Sequence, residues 1–131
     1  MHPVARIESP LTDRSTAPKQ GDEGAPPARV VFEPQFHTAA ADLHPGDRLV
    51  LLTWLHEADR EVQAVHPRSD PARPLQGVFS TRAPDRPNPI GLHTVTVTAA
   101  ENGTLTVTGL EAIDGTPVLD VKPVLGEVAD R

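Results

Sequence analysis

The sequence lacks cysteine, so neither a disulfide framework nor a thiolate nucleophile or metal ligand is available to it. Aromatic residues are also scarce: three phenylalanines and one tryptophan are too few for a broad surface on which nucleic-acid bases could stack. No apolar run approaches the roughly 20 residues of a membrane-spanning helix. The segment Met1–Pro10 carries charges where a secretory signal needs an apolar stretch, so we expect a cytoplasmic protein with no membrane partner.

Several familiar catalytic motifs are missing as well. The chain contains no Gly-x-Gly-x-x-Gly turn, no phosphate-binding Gly-Lys-Ser/Thr loop and no Gly-x-Ser-x-Gly elbow. Its predicted strands do not alternate with helices, as a Rossmann-type enzyme requires. The histidines invite a metal-binding interpretation, but no two of them have the helical i, i+4 spacing, so no metal site is expected. These histidines are His2, His37, His44, His56, His66 and His93.

The charge balance of the chain is acidic. The sequence has 18 acidic and 12 basic residues, which gives a net charge of −6. A protein that binds nucleic acid usually neutralises phosphates with Lys and Arg, so this balance disfavours that class of partner and favours a small ligand. A local basic patch is still compatible with the composition.

Proline is abundant, with 15 residues, which predicts short strands joined by stiff loops rather than long helices. The most apolar segment, Arg48–His56, is predicted to be a strand that is buried on both faces. The clearest hairpin runs from Leu92–Ala100 through Glu101-Asn102-Gly103 to Thr104–Leu110, because Asn-Gly supplies the positive φ values of a tight turn. Regularly spaced short strands indicate an all-β fold, an antiparallel or mixed barrel.

Less regular segments complete the predicted organisation. The segment Ser9–Ala28 has no periodicity, and a loop of that length in a compact domain usually binds something. A short helix is predicted over Thr38–Leu43, with Thr38 as its N-cap. We expect residues 1–125 to form one domain and residues 126–131 a C-terminal tail. The remaining predicted strands are 2–8, 29–33, 61–65, 76–81 and 117–121.

The most informative motif is Gly77–Leu92, which reads GVFSTRAPDRPNPIGL. Three prolines fix φ along this loop and stiffen the segment that holds Arg82 and Arg86. Asn88 lies between two of the prolines and is restricted to extended conformations. Two guanidinium groups on a rigid loop suit a carboxylate or a phosphate. The alternative is a proline-braced connection whose arginines are merely solvated.

This motif closely resembles that of the TrmO (TsaA-like) family, which typically reads GVFATRSPxRPNPIGL. Three further blocks are similar to the family in the same order: HPVARIESPLTDRSTAPKQG at the start, LVLLTWLHEADRE in the centre and LEAIDGTPVLDVKP near the end. Together they extend over nearly all of the 131 residues. A match of this length and order is highly specific.

The resemblance implies a fold, a reaction and a set of partners. The fold is a single-sheeted β-barrel with long Pro-rich loops, and members are usually homodimers. The reaction transfers a methyl group from S-adenosyl-L-methionine to N6 of threonylcarbamoyladenosine at position 37 of tRNA, without a metal. Arg86 and Asn88, in the rigid loop, are predicted to contact the substrate. The residues implied to bind the cofactor are Pro18, Lys19, Gln20, His56, Glu57, Arg82, Leu92, Asp114, Gly115 and Thr116.

The chain departs from the family pattern at two positions. Val124 stands where the family often has Tyr, and His93 where it often has Ser. The group that takes the proton from the acceptor nitrogen is also open, with His56, His93, Asp114 and Asp120 as candidates. These features leave two alternatives to the tRNA reaction. One is a methyltransferase of a small metabolite or nucleoside, and the other is a non-catalytic module that binds S-adenosylmethionine.

Overall fold

A computed structural model of the protein describes residues 1–12, 26–67 and 70–126. The 3₁₀ helices Pro34–Phe36 and Val78–Ser80 lie between strands. Within the described ranges, no helix is long and apolar enough to cross a membrane. The strands are β1 (Ala5–Glu8), β2 (Ala28–Phe32), β3 (Arg48–Trp54), β4 (Ala64–Val65), β5 (Gln76–Gly77), β6 (Ile90–Glu101), β7 (Thr104–Thr108) and β8 (Pro117–Pro123).

Six of these strands close into a single antiparallel barrel in the order β1-β2-β7-β6-β3-β8, and β8 pairs with β1 to complete the ring. Strands β4 and β5 pair only with each other, outside the barrel. The all-β fold and the single-sheeted barrel predicted from the sequence are therefore confirmed. Closure leaves no exposed sheet edge in the barrel wall.

The core of the barrel follows from the strict alternation of its longest strands. In β3, Leu49, Leu51 and Thr53 point inward and are fully buried, whereas Val50, Leu52 and Trp54 face outward and are half-buried. The prediction that this strand is buried on both faces is thus right for one face only. The barrel core covers the inner face of β3, whereas among the described residues its outward side chains are covered only in part.

The predicted hairpin forms between β6 and β7. Asn102 (φ 51°) and Gly103 (φ 72°) occupy the two central positions of its turn, as expected for a two-residue connection. The ring of His37 packs directly against Gly103, where a Cβ would collide with it. The turn therefore requires glycine both for its φ and for its space.

Three local predictions were wrong. The segment over Thr38–Leu43 forms successive turns with i to i+3 hydrogen bonds instead of a helix, because so short a segment cannot offset the cost of helix nucleation. The strand expected over 61–65 is reduced to β4. The strand expected over 76–81 ends after β5, where the chain turns into the 3₁₀ helix that buries Val78.

The two ends of the barrel receive different connections. Because neighbouring strands are antiparallel, segments 9–27, 55–89 and 109–116 all emerge at one end, which we call the loop end. The opposite end, the hairpin end, carries the β6–β7 turn and the 33–47 connection between β2 and β3. The loop end therefore receives most of the long connections.

Candidate functional site

The loop end gathers most of the residues that the sequence predicts to bind a ligand. His56 and Glu57 follow β3, Arg82 lies in the connection that leads to β6, and the Asp114–Thr116 turn precedes β8. Leu92 lies near the start of β6, on its outer face. Pro18, Lys19 and Gln20 lie outside the described residues, in the connection whose two ends, Glu8 and Ala28, are at this same end. Distant parts of the sequence thus meet at one end of the barrel.

The turn at Asp114, Gly115 and Thr116 is anchored to the first strand. The N–H of Asp114 donates to the carbonyl of Leu11 and that of Gly115 to the carbonyl of Ile7, at 2.6 and 2.8 Å. Asp114 Oδ1 accepts the N–H of Ser9 at 3.0 Å. Thr116 donates both its N–H and its hydroxyl to the carbonyl of Ile113.

These bonds define what the turn can offer to a ligand. All three of its backbone N–H groups are donated inside the protein. In the described part of the chain, no hydrogen bond reaches the second carboxylate oxygen of Asp114, and the residue is exposed. The turn is therefore a rigid source of hydrogen-bond acceptors, and a ligand that it binds must present N–H or O–H donors.

A cavity of about 530 Å³ opens beside this turn. Glu8 and Arg29 form an ion pair within its lining, with 3.0 Å between Glu8 Oε1 and Arg29 Nη1. With Asp114 the lining carries two carboxylates and one guanidinium, so its net charge is negative and suits a cationic group. Sequence reasoning missed Glu8, Arg29 and Thr106, although the alternation of β1 and β2 places Glu8 directly opposite Arg29. The lining consists of Glu8, Ser9, Pro10, Pro27, Ala28, Arg29, Thr106 and Asp114.

His56 and Glu57 lie where β3 ends, against the Pro-rich loop. The N–H of Leu55 donates to the carbonyl of Pro89 at 2.8 Å, which fixes the exit of the strand. His56 Nε2 is 3.9 Å from Glu57 Oε2, and both side chains are partly exposed. The imidazole is therefore open to a ligand at the loop end.

The two arginines of the Pro-rich loop differ in their contacts. The guanidinium of Arg86 donates to the carbonyl oxygens of Val78, Thr81 and Ala83, at 2.7 to 3.0 Å. Arg82 is exposed, and within the described residues its side chain has no hydrogen-bond or ion-pair partner. Arg86 therefore holds the loop together, whereas Arg82 is available to an anion. A role of Arg86 in substrate binding stays a prediction, and it would use the N–H groups that do not donate to these three carbonyls.

Asn88 is likewise engaged inside the protein. Its Oδ1 accepts a hydrogen bond from Arg60 Nη2 at 3.0 Å, and Arg60 Nε donates to the carbonyl of Pro87 at 2.8 Å. The same guanidinium lies over the ring of Trp54, 5.1 Å from its centroid. Asn88 is exposed, so its amide nitrogen is still accessible, and its predicted contact with the substrate stays a prediction.

An apolar surface runs along the outer wall beside the site. Trp54 pairs with Ile90 and Leu52 with Leu92 across β3 and β6, and all four side chains face outward. Ile90 and Leu92 are 46% and 45% exposed, and because they lie beside Trp54 and Leu52 the four side chains form one contiguous surface. We call these four residues the apolar face.

The proposed proton acceptors occupy different environments. His56 and Asp114 are exposed at the loop end. Asp120 lies on the outer wall, where its carboxylate is 3.0 Å from Lys122 Nζ. His93 points into the barrel and is buried, with both ring nitrogens in hydrogen bonds. Among the residues that the structure describes, no cluster of His, Asp and Glu is arranged to hold a metal.

The sequence of this chain is similar to one protein family and to several known proteins. The tRNA-methyltransferase O N-terminal domain family matches residues 6–130. A probable S-adenosyl-L-methionine-binding protein of Methanothermobacter thermautotrophicus is 40% identical over 128 residues, 98% of this chain and 91% of that protein. The probable S-adenosyl-L-methionine-binding protein VirR of Rhizobium radiobacter is 38% identical over 120 residues, 92% of this chain and 67% of VirR.

Solved structures extend the comparison to three dimensions. A crystal structure of TrmO has a TM-score of 0.75 at 32% identity, and one from Pseudomonas aeruginosa has 0.74 at 31%. The whole of this chain is covered in both, but it spans only 62% and 60% of those chains. The chain belongs to the tRNA-methyltransferase O family, whose N-terminal domain it matches.

Proposed function

We propose that this protein binds S-adenosyl-L-methionine at the loop end of its barrel and transfers the methyl group to N6 of threonylcarbamoyladenosine in tRNA. The observation that carries the proposal is the topology, which brings His56, Arg82 and the Asp114–Thr116 turn to one end from three separate connections. Residues 1–125 are the proposed folded unit, acting in the cytoplasm, with 126–131 as a tail. The names of the relatives from Methanothermobacter and Rhizobium support the choice of donor.

The groups at the loop end fit the three chemical parts of this donor. Arg82 presents an exposed guanidinium that suits the methionine carboxylate. The negative cavity beside Asp114 suits the positive charge of the sulfonium. Leu92 offers an exposed apolar side chain for the uncharged parts of the molecule. The Asp114 turn, which has only acceptors to offer, suits an amino group such as that of adenine.

S-adenosylmethionine, once bound, supplies a methyl group that its sulfonium has already activated. The chain therefore has to bind, align and exclude water, and needs no covalent intermediate. The acceptor nitrogen releases its proton as it gains the methyl group. His56 and Asp114 are the proposed acceptors of that proton, since both are exposed at the loop end. His93 is buried and bonded at both nitrogens, so no proton from a surface substrate can reach it directly.

The proposed assembly is a homodimer that forms through the apolar face. Ile90 and Leu92 form a contiguous exposed apolar surface with Leu52 and Trp54, the kind of surface that a second copy would bury. Leu92 is itself a proposed donor contact. Burial of this face would place the second copy next to the site. Light scattering of the purified protein should give twice the monomer mass.

The reaction is tested by mass spectrometry of nucleosides from tRNA incubated with the protein and isotope-labelled S-adenosylmethionine. The expected product is threonylcarbamoyladenosine that carries one labelled methyl group. Transcripts without the threonylcarbamoyl group serve as the matched control and should stay unlabelled. If the modified tRNA also stays unlabelled while the protein binds the donor, tRNA is not the acceptor.

Two observations favour a second candidate, a methyltransferase that acts on a small molecule. The net charge of −6 disfavours a nucleic-acid partner, and the guanidinium of Arg86 is engaged by three carbonyls. The same assay with free threonylcarbamoyladenosine distinguishes the two candidates. Transfer to the nucleoside at the rate seen with tRNA would select the small-molecule enzyme. Donor binding without transfer to either acceptor would select a binding module.

A further inference from the structure

A chain of three hydrogen-bonded polar side chains, two of them buried, runs from the barrel interior towards the loop end. His93 Nδ1 is 2.6 Å from Glu111 Oε1, and His93 Nε2 is 2.7 Å from Thr53 Oγ1. Thr53 is fully buried and His93 is 5% exposed, while the Glu111 side chain is 20% exposed. An ionised carboxylate has no proton to donate, so with Glu111 in that form Nδ1–H is the donor of this bond. A buried polar group is costly unless it is bonded, and each member of this chain is bonded.

The backbone makes room for this chain at one position. Gly91 lies directly across the sheet from Thr53 and two residues before His93, so all three face the interior. A Cβ on Gly91 would lie 2.5 Å from Thr53 Oγ1 and 2.7 Å from His93 Nε2. The hydroxyl of Thr53 and the imidazole of His93 therefore meet in the space that a side chain on Gly91 would occupy.

The three residues belong to three different parts of the proposed site. Thr53 is the penultimate residue of β3, three residues before His56. His93 directly follows Leu92 in β6. Glu111 is three residues before Asp114, in the connection between β7 and β8. The hydrogen bonds of His93 therefore tie together the segments that carry three of the proposed donor contacts.

The hydrogen bonds that link Thr53 to His93 and His93 to Glu111 resemble those of a catalytic triad, in which a nucleophile contacts a base and an acid orients that base. Such a group needs access to a substrate, and Thr53 has none because its exposure is 0%. The chain of hydrogen bonds is therefore unsuited to covalent catalysis. Thr53, His93 and Glu111 can therefore contribute only by keeping the segments around them in position.

We propose that His93 is a positioning residue that sets the spacing of the donor-binding segments through Thr53 and Glu111. The proposal rests on the proposed function, because it concerns the same donor site. It predicts that loss of either hydrogen bond weakens donor binding even where the barrel stays folded. A binding site loses affinity when its contact groups are displaced even slightly, so it depends on the residues that hold those groups in place.

Thr53→Val and Thr53→Ser test the bond to Nε2. Valine keeps the shape and removes the hydroxyl, whereas serine keeps the hydroxyl and removes a methyl group. Calorimetry with S-adenosylmethionine should give a Kd raised about tenfold for Thr53→Val, and within about threefold of the parent value for Thr53→Ser. In the tRNA assay, Thr53→Val should raise KM for the donor and leave KM for tRNA unchanged. A purely structural defect would instead lower kcat in proportion to the folded fraction and leave both KM values unchanged.

Glu111→Leu and Glu111→Gln test the bond to Nδ1 at a partly exposed position, where folding is less at risk. The amide oxygen of glutamine can still accept the Nδ1 proton, so Glu111→Gln should keep the donor Kd while Glu111→Leu raises it about tenfold. The slowly exchanging Nδ1 proton should be visible by NMR in the parent and in Glu111→Gln, and lost in Glu111→Leu. If the parent protein binds the donor and Thr53→Val and Glu111→Leu bind it equally well, this inference falls and the proposed function stands. If the parent protein itself does not bind the donor, both fall.

Discussion

The two ends of the barrel differ in what they bury. At the hairpin end the interior is apolar, with Phe32, Leu49 and Leu105 packed together. At the loop end lie Thr53, His93 and Thr116, the buried polar residues of the described chain. Apolar packing needs no partners, whereas each buried polar group needs a hydrogen bond of defined geometry. Apolar packing therefore extends through the barrel, whereas buried groups with fixed hydrogen-bond geometry occur at the loop end, next to the proposed site.

The largest expected effect comes from a crowded glycine at the loop end. Gly91→Ala would drive a methyl group into Thr53 Oγ1 and His93 Nε2, which cannot move without breaking their hydrogen bond. We expect a loss of about 3 kcal/mol in the free energy of unfolding, measured by urea denaturation. The protein that stays folded should also bind S-adenosylmethionine at least tenfold more weakly.

Gly103→Ala is the matched control at the hairpin end. It too meets a histidine ring, that of His37, and it adds the strain of a positive φ. We expect a loss of about 2 kcal/mol in stability and an unchanged donor Kd. Equal losses of donor affinity in both glycine variants would mean that affinity simply follows stability, and the functional difference between the ends would disappear.

The next largest expected effect is a loss of donor affinity on substitution of one exposed arginine but not of another. Arg82 at the loop end and Arg48 at the hairpin end are both exposed, and neither side chain has a hydrogen-bond or ion-pair partner in the described residues. Arg82→Ala should raise the Kd for S-adenosylmethionine about thirtyfold, because a charged hydrogen bond to the carboxylate is lost. Its thermal unfolding should be almost unchanged.

Arg48→Ala removes the same charge from the opposite end. It should change neither the donor Kd nor the unfolding temperature by a measurable amount. If the two alanine variants lose donor affinity to the same extent, the loss reflects net charge, and Arg82 is not a specific contact.

The sequence predicts what local patterns determine. Alternation and the Asn102-Gly103 pair were sufficient for the β6–β7 hairpin, since both signals lie within a few residues of the turn. The helix predicted over Thr38–Leu43 does not form, because a single N-cap residue cannot stabilise so short a helix. Local patterns therefore identify long strands and tight turns reliably, but not short isolated elements.

The site depends on contacts that no local pattern reports. Arg82 and Arg86 lie only four residues apart in the same Pro-rich loop, and only the folded loop shows that Arg86 is engaged by three carbonyls. His93 is separated from Thr53 by 40 residues and from Glu111 by 18. Such pairs are set by strand register, which the sequence alone does not give.

The smallest expected effect lies at the hairpin turn. Asn102 adopts a left-handed backbone conformation that asparagine tolerates better than alanine. Asn102→Ala should lower the free energy of unfolding by about 1 kcal/mol, while Asn102→Gly should change it by less than about 0.5 kcal/mol. Neither variant should change the Kd for S-adenosylmethionine, because the turn lies at the end opposite to the proposed site. A weaker donor affinity in Asn102→Ala would show that the hairpin end contributes to binding, and the division between the two ends would not hold.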